Sequence, residues 1–251
     1  MNDPWRLDGR VALVTGGGRG LGRGCAQELA RAGARVVIVS RTESELKEAA
    51  DEIGDGTTAL VADVTDPAEV QRVVQTAAAL GDLRVLVTAA GTNRPGPARS
   101  YPLQDWQLLF EVNVQATFLA CREFGDTLLD RGVTGSIVTM SSQMGSVGYP
   151  GRVAYCATKH AVDGMTKALG VEWAKNGIRV NAVAPTFVET PLTRQWLEDS
   201  AFREEVLERR LPTGRLAQIV DVARAVRYLA CEASENVTGH ILKVDGGWTA
   251  W

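Results

Sequence analysis

The chain has 251 residues, 45% of them apolar and 23% charged, with a net charge of −3. That composition is ordinary for a globular α/β protein, and its length suits one doubly wound domain over residues 1–251. Its charge gives no case for binding nucleic acid or an anionic membrane surface, and no stretch reads as a membrane span or secretory signal.

In chain order, the apolar run Val11–Thr15 has the length and β-branched content of a buried parallel strand. It leads through Gly16, Gly20 and Gly22 into a helical pattern from Leu21 to Ala32. RVVIVS (35–40) is a second strand, and Thr42 with Glu45 reads as a capping box opening a helix over 43–53. TTALVA (57–62) is a third strand. Asp66, Pro67 and Glu69 then have the pattern of an N-cap, an N1 proline and an acidic first turn. LRVLVT (83–88) is the fourth strand, followed after Pro102 by a long helical pattern that includes Asn113. SIVTM (136–140), a helix over about 152–175, IRVNAV (178–183) and HILKV (240–244) complete the series. Alternation of strands and helices predicts a parallel sheet with helices on both faces, and ligands beyond the carboxyl ends of the strands.

Two stretches carry chemistry. Residues 11–24, VALVTGGGRGLGRG, place glycines between a strand and a helix, where backbone N–H groups and the helix dipole receive a pyrophosphate. In the second, Tyr155 and Lys159 lie four residues apart on one helix face, with Ser142 thirteen residues upstream of the tyrosine. A free tyrosine, with a pKa near ~10, is a poor base at neutral pH, and a neighbouring ammonium favours its phenolate. A serine hydroxyl from a neighbouring strand end can hold a substrate oxygen.

The order Thr15-Gly16-x-x-x-Gly20-x-Gly22, Asn113, Ser142, Tyr155, Lys159 resembles the short-chain dehydrogenase/reductase family over nearly the whole chain. Asp63-Val64, Gly91 within TAAG, VNV at 112–114, RVNAVAP at 179–185 and Thr190 also match. Two positions depart from the family pattern: Ala89 stands where asparagine is common, and Thr186 where glycine often follows Pro185. The resemblance implies a seven-stranded Rossmann-type sheet of order 3-2-1-4-5-6-7 and a homotetramer. It implies hydride exchange between a nicotinamide and a carbonyl or secondary alcohol. Asn113, Ser142, Tyr155 and Lys159 form the catalytic set. Asn113 holds a water that relays protons to Lys159, and Lys159 lowers the Tyr155 pKa.

The expected cofactor contacts are Gly16, Arg19, Gly20, Leu21, Gly22, Ser40, Arg41, Asp63, Val64, Ala90, Gly91, Tyr155, Lys159, Pro185, Val188 and Thr190. Ser40 and Arg41 occupy the second-strand end, where an acidic residue would suit NAD, so NADP(H) is favoured over NAD(H). Residues 186–215 are the expected substrate lid, with Phe187, Leu192, Trp196, Phe202 and Val206 as an apolar closing face. Asn93, Ser142, Gln143, Tyr149, Arg152 and Trp196 are the expected substrate contacts, with Arg94 and Met144 nearby. So many hydrogen-bonding groups favour a sugar acid, ketose or polyol, and MSSQMG and VDGGWTA resemble the gluconate and polyol dehydrogenase branch. A 3-oxoacyl thioester reductase is the alternative enzyme. A non-catalytic dinucleotide-binding regulator is the alternative of another class. Cys25, Cys121, Cys156 and Cys231 form no C-x-x-C pair, which suits a reduced cytoplasm. His160 and His240 lack partners for a metal site. Trp248 and Trp251, at the end of an edge strand, are expected to meet a neighbouring subunit.

Overall fold

The computed structural model describes residues 3–54 and 56–250. Seven strands form one parallel sheet: β1 (Arg10–Thr15), β2 (Arg35–Ser40), β3 (Thr58–Val61), β4 (Asp82–Thr88), β5 (Gly135–Met140), β6 (Ile178–Pro185) and β7 (Ile241–Val244). Their spatial order is 3-2-1-4-5-6-7, as expected.

Each central strand is apolar on both faces because both faces are covered. Along β1, Ala12 and Val14 join one buried cluster, while Val11 and Leu13 join the other. The first cluster is closed by α1 (Gly20–Arg31), α2 (Glu43–Ile53) and α9 (Ile219–Ala230), through Cys25, Leu29, Leu46, Val222 and Val226. The second is closed by α3 (Pro67–Ala79) and α5 (Ala116–Arg131), through Val70, Val74, Leu119, Phe124 and Leu128.

Local signals hold at some positions and fail at others. Asp66 caps α3 as expected, accepting from the N–H groups of Ala68 and Glu69. The expected Thr42–Glu45 capping box does not form, because Thr42 makes no capping bond and the Glu45 carboxylate instead pairs with Arg19 at 3.1 Å. A reciprocal box does form at the start of α9, between Gln218 and Asp221. The long helical pattern after Pro102 is two helices, α4 (Leu103–Phe110) and α5, joined by a π-helical segment, Glu111–Gln115. Asn113 lies inside that segment. The helix bearing Tyr155 is α6 (Val153–Glu172). Between β6 and α9, short helices α7 (Arg194–Leu197) and α8 (Ser200–Glu204) lead into a second π-helical turn, Glu205–Arg210.

A third, smaller apolar cluster unites Met144, Phe187, Val206, Leu211 and Trp248, with Tyr149 and Phe202 packed against it. Trp248 is 7% exposed and lies 5.9 Å from the Tyr149 ring and 5.7 Å from that of Phe187. This corrects the expectation that Trp248 is spare surface for a neighbour: it is core within its own chain. Trp251 lies outside the described residues. The lid face is also revised. Phe187, Phe202 and Val206 pack into this cluster, whereas Leu192 is exposed at the mouth of the cleft described below.

Candidate active site

All the glycine-turn residues converge with the strand ends on one cleft. It is lined by Gly16, Arg19, Gly20, Leu21, Gly22, Ser40, Arg41, Asp63, Val64, Ala90, Gly91, Ser142, Tyr155, Lys159, Pro185, Val188 and Thr190. Every expected cofactor contact is therefore on its wall. The glycines are required by close approach. A Cβ on Gly16, where φ is +68°, would stand 2.7 Å from the Ala90 backbone nitrogen, and one on Gly22 would stand 2.1 Å from the Gly16 carbonyl oxygen. The turn is pinned to the next strand by Gly17 N–H donating to the Val39 carbonyl at 3.1 Å.

At the far end of the turn, the Ser40 hydroxyl would be 3.0 Å from a Gly18 Cβ. Arg41 is largely exposed and lies 3.8 Å from the Asp63 carboxylate. Asp63 accepts from the Thr65 N–H and hydroxyl at 2.9 and 2.8 Å, and the Thr65 backbone bond is the main cause that lowers its pKa. Arg19 and Arg41 thus face the cleft with a partly satisfied carboxylate beside each. The glycine cradle, the helix start and these two cations suit a dinucleotide carrying an extra phosphate on its adenosine ribose.

The reacting end is held by α6 docked on β5 through hydrogen bonds. Lys159 Nζ donates to the Met140 carbonyl at 2.7 Å, Ser141 donates to the Asp163 carboxylate, and the Thr139 and Thr166 hydroxyls meet at 2.8 Å. Positions 159, 163 and 166 follow the helical repeat, so the last two residues of β5 and the one after it meet one stripe of α6. Ser141, Asp163, Thr139 and Thr166 were not anticipated as part of the site. The i, i+4, i+7 polar stripe in an otherwise apolar stretch was the available signal.

Burial pushes the Tyr155 phenol up to about 12, while the adjacent Ser142 hydroxyl and the Arg152 charge act to lower it. Burial brings Lys159 down to about 8, with Asp163 opposing. Lys159 Nζ lies 5.6 Å from the Tyr155 ring centroid. Arg152 is a cation whose charge acts to lower the phenol, while the Lys159 ammonium donates to the Met140 carbonyl. Ser142 caps the short 3-10 turn Gln143–Gly145, accepting from Met144 N–H at 3.2 Å, and this aims its hydroxyl into the cleft.

Asn113 is fully buried. Its amide bridges both backbone groups of Thr92, at 2.8 and 3.0 Å, and donates to the Thr158 hydroxyl at 3.2 Å. It fastens the loop after β4 to α6, and its own carbonyl accepts from Thr117. At Ala89, where asparagine is common in the family, the backbone N–H donates to the Thr15 carbonyl at 3.1 Å.

Of the expected substrate contacts, only Ser142 lines the cleft itself. Asn93, Gln143 and Arg152 follow β4, follow β5 and precede α6, outside that lining, each with a buried polar atom that has no partner. Trp196 covers Arg152, its ring 4.4 Å from the guanidinium carbon. Tyr149 does not face the cleft. It belongs to the aromatic cluster, because its ring is packed between Phe187, Phe202 and Trp248.

A family model described as enoyl-(acyl carrier protein) reductase matches residues 16–249. The chain belongs to the short-chain dehydrogenase/reductase family. It is 38% identical to a D-threitol dehydrogenase of Mycolicibacterium smegmatis, over 98% of this chain and 95% of that one. It is 37% identical to a 2-dehydro-3-deoxy-D-gluconate 5-dehydrogenase of Bacillus subtilis, over 99% and 98% of the two chains. The structure of a gluconate 5-dehydrogenase from Burkholderia cenocepacia J2315, in complex with NADP and tartrate, superposes with a TM-score of 0.93 at 36% identity, covering 99% of this chain and 98% of that one. The chain is thus an oxidoreductase of this family acting on alcohol and carbonyl groups. Among the described residues, no helix is long and apolar enough to cross a membrane.

Proposed function

We propose that this enzyme interconverts a secondary hydroxyl and a ketone on a sugar acid or polyol, with NADP(H) as hydride partner. The observation that carries this reading is the placing of Ser142, Tyr155 and Lys159 on the same cleft as the glycine cradle and Arg41. When bound, the nicotinamide supplies or accepts the hydride. Gly16, Gly20, Gly22 and the start of α1 would receive the pyrophosphate, Ser40, Arg41 and Arg19 the ribose phosphate, and Thr190 the carboxamide end. Ser142 orients the substrate oxygen by donating to it. In reduction, Tyr155 gives its phenolic proton to that oxygen; in oxidation, its phenolate removes the proton. Lys159 shares the helix face of Tyr155, and its release from Met140 towards the cleft would bring a positive charge to the phenolate.

Residues 1–251 are read as one catalytic unit with 186–215 as its lid. A 3-oxoacyl thioester substrate would want an apolar tunnel, whereas the segments after β4, after β5 and before α6 carry the unpartnered buried polar atoms of Asn93, Gln143 and Arg152. A purely regulatory dinucleotide binder has no use for the serine, tyrosine and lysine together. The four cysteines are free thiols, three of them buried, which supports a cytoplasmic setting. Exposed Leu103, Phe118 and Val153 on α4, α5 and α6 support a homotetramer. Sedimentation as a monomer at micromolar concentration would remove that assembly.

The mechanism is tested by Tyr155→Phe. Turnover with aldonates or alditols should fall at least ~100-fold, while NADPH binding measured by fluorescence stays near wild type. Near-normal turnover in that variant would end the mechanism.

A further inference from the structure

Among the described residues, Arg152 is a buried cation without a counter-ion. It is 5% exposed, and its Nη1 has no hydrogen-bond partner. The ionisable groups nearest in influence are Tyr149, Tyr155, Cys156 and Tyr101, none of them a carboxylate. Leaving such a charge unpaired is costly, and buried arginines are ordinarily matched by a carboxylate. Here one face of the guanidinium is covered by the Trp196 ring at 4.4 Å, which leaves the edge of the fork for hydrogen bonding. Arg152 precedes α6 and sits three residues before Tyr155, so both side chains belong to the same side of the helix.

Three further buried side-chain atoms on strand-end loops also have no partner: Asn93 Oδ1, Gln143 Oε1 and Thr186 Oγ1, the last on the cleft wall. They come from the loops following β4, β5 and β6, the strand ends where this fold receives ligands. The set comprises a cationic fork, two amide oxygens that accept, and a hydroxyl. A polyhydroxylated chain ending in a carboxylate offers the partners these groups lack, a carboxylate for the fork and donating hydroxyls for the amide oxygens. A neutral polyol leaves the cation unpaired.

We infer that Arg152 binds the carboxylate of the substrate, so that among sugar-like substrates the enzyme takes the anion of a polyhydroxy acid rather than a neutral polyol. This rests on the polyhydroxylated-substrate reading above and narrows it. Trp196, on the lid helix α7, then has a defined part: it stacks on the same guanidinium and couples lid position to an occupied carboxylate site.

The test compares a six-carbon aldonate with the alditol of the same configuration, in wild type and in Arg152→Gln. Wild type should oxidise the aldonate with a kcat/KM at least about 30-fold above that of the alditol. Arg152→Gln should lower that ratio about 10- to 100-fold, mainly through the aldonate KM, the scale of a charge-assisted hydrogen bond. A role confined to holding the lid would lower both substrates alike and leave the ratio unchanged, which would overturn the proposal. So would a wild type that prefers the alditol, although the broader polyol reading would then survive. A wild type that turns over neither series but reduces 3-oxoacyl thioesters would remove both. Should the variant fail to fold, the wild type alone decides. A short, non-oxidisable carboxylate analogue should inhibit at least about tenfold more strongly than its primary amide, and equal inhibition would refute the carboxylate site.

Discussion

Substituting Gly22 by alanine tests whether the glycine turn is held by close backbone approach. The added Cβ would stand 2.1 Å from the Gly16 carbonyl oxygen and 2.7 Å from its carbonyl carbon. Ordinary contact needs more than 3 Å, so the start of α1 and the end of β1 must separate by over ~1 Å. Both partners are backbone, and no flexible side chain can yield. Overpacking of this kind costs about 1–3 kcal/mol, here at the upper end, and the helix propensity gained by alanine returns at most about 1 kcal/mol. A net loss of about 2–3 kcal/mol should lower the melting temperature by roughly 4–12 °C in a chain of this size. The displacement opens the pyrophosphate cradle, so the NADPH dissociation constant should rise at least ~10-fold. Gly164→Ala is the control. Gly164 is exposed on α6 with nothing within 4 Å of its Cβ position. That substitution should be neutral or stabilise by about 0.5–1 kcal/mol. Thermal melts and fluorescence titration of both variants decide the matter. A Gly22→Ala protein within about 1 kcal/mol of wild type, with unchanged NADPH affinity, would refute the reasoning.

Arg41→Ala should weaken NADPH about tenfold and leave NADH almost unchanged, the low end for a charged hydrogen bond because Arg41 is largely exposed; equal losses for both cofactors would refute the phosphate assignment. Burial sets Tyr155 at about 12, so the neutral phenol dominates at pH 7. Oxidation needs the phenolate and should accelerate as pH rises from 7 to 9, whereas reduction uses the phenol and should not accelerate. Oxidative kcat/KM that falls over this range would contradict the assignment of Tyr155 as base. In hydrogen exchange, residues 190–212 should exchange faster than the central strands and slow on adding NADPH. Protection equal to that of the sheet, and insensitive to NADPH, would mark the segment as a fixed hairpin.

The strands and the nucleotide cleft were legible in the sequence because each is encoded locally. A buried parallel strand needs a run such as RVVIVS, and a pyrophosphate turn needs glycine between strand and helix. What escaped depended on partners far along the chain. Thr42 and Glu45 have capping-box spacing, but Arg19, from another loop, takes the glutamate. Asn113 has the residue type of a water ligand, but that its amide also ties Thr92, twenty-one positions upstream, to Thr158 on α6 depends on the fold. Trp248 looked spare at a sheet edge because its neighbours, Tyr149 and Phe187, come from the segments after β5 and β6, far away in sequence. Arg152 was visible as a polar residue near the tyrosine. Its lack of a counter-charge became visible only once the whole surround was assembled.

The hydrogen-bonded seam between β5 and α6 has a consequence for how finely Tyr155 is positioned. A helix held on a sheet by apolar contact alone has neighbouring resting places along its axis that are nearly as good, since hydrophobic attraction is non-directional. Thr139–Thr166, Ser141–Asp163 and Met140–Lys159 act as a key in a slot. Displacement by even one residue, about 1.5 Å along the axis, would leave several polar groups stranded away from water. The seam therefore indexes the tyrosine against the end of β5, where Ser142 begins, and sets the spacing of the two hydroxyls by register rather than by packing strength.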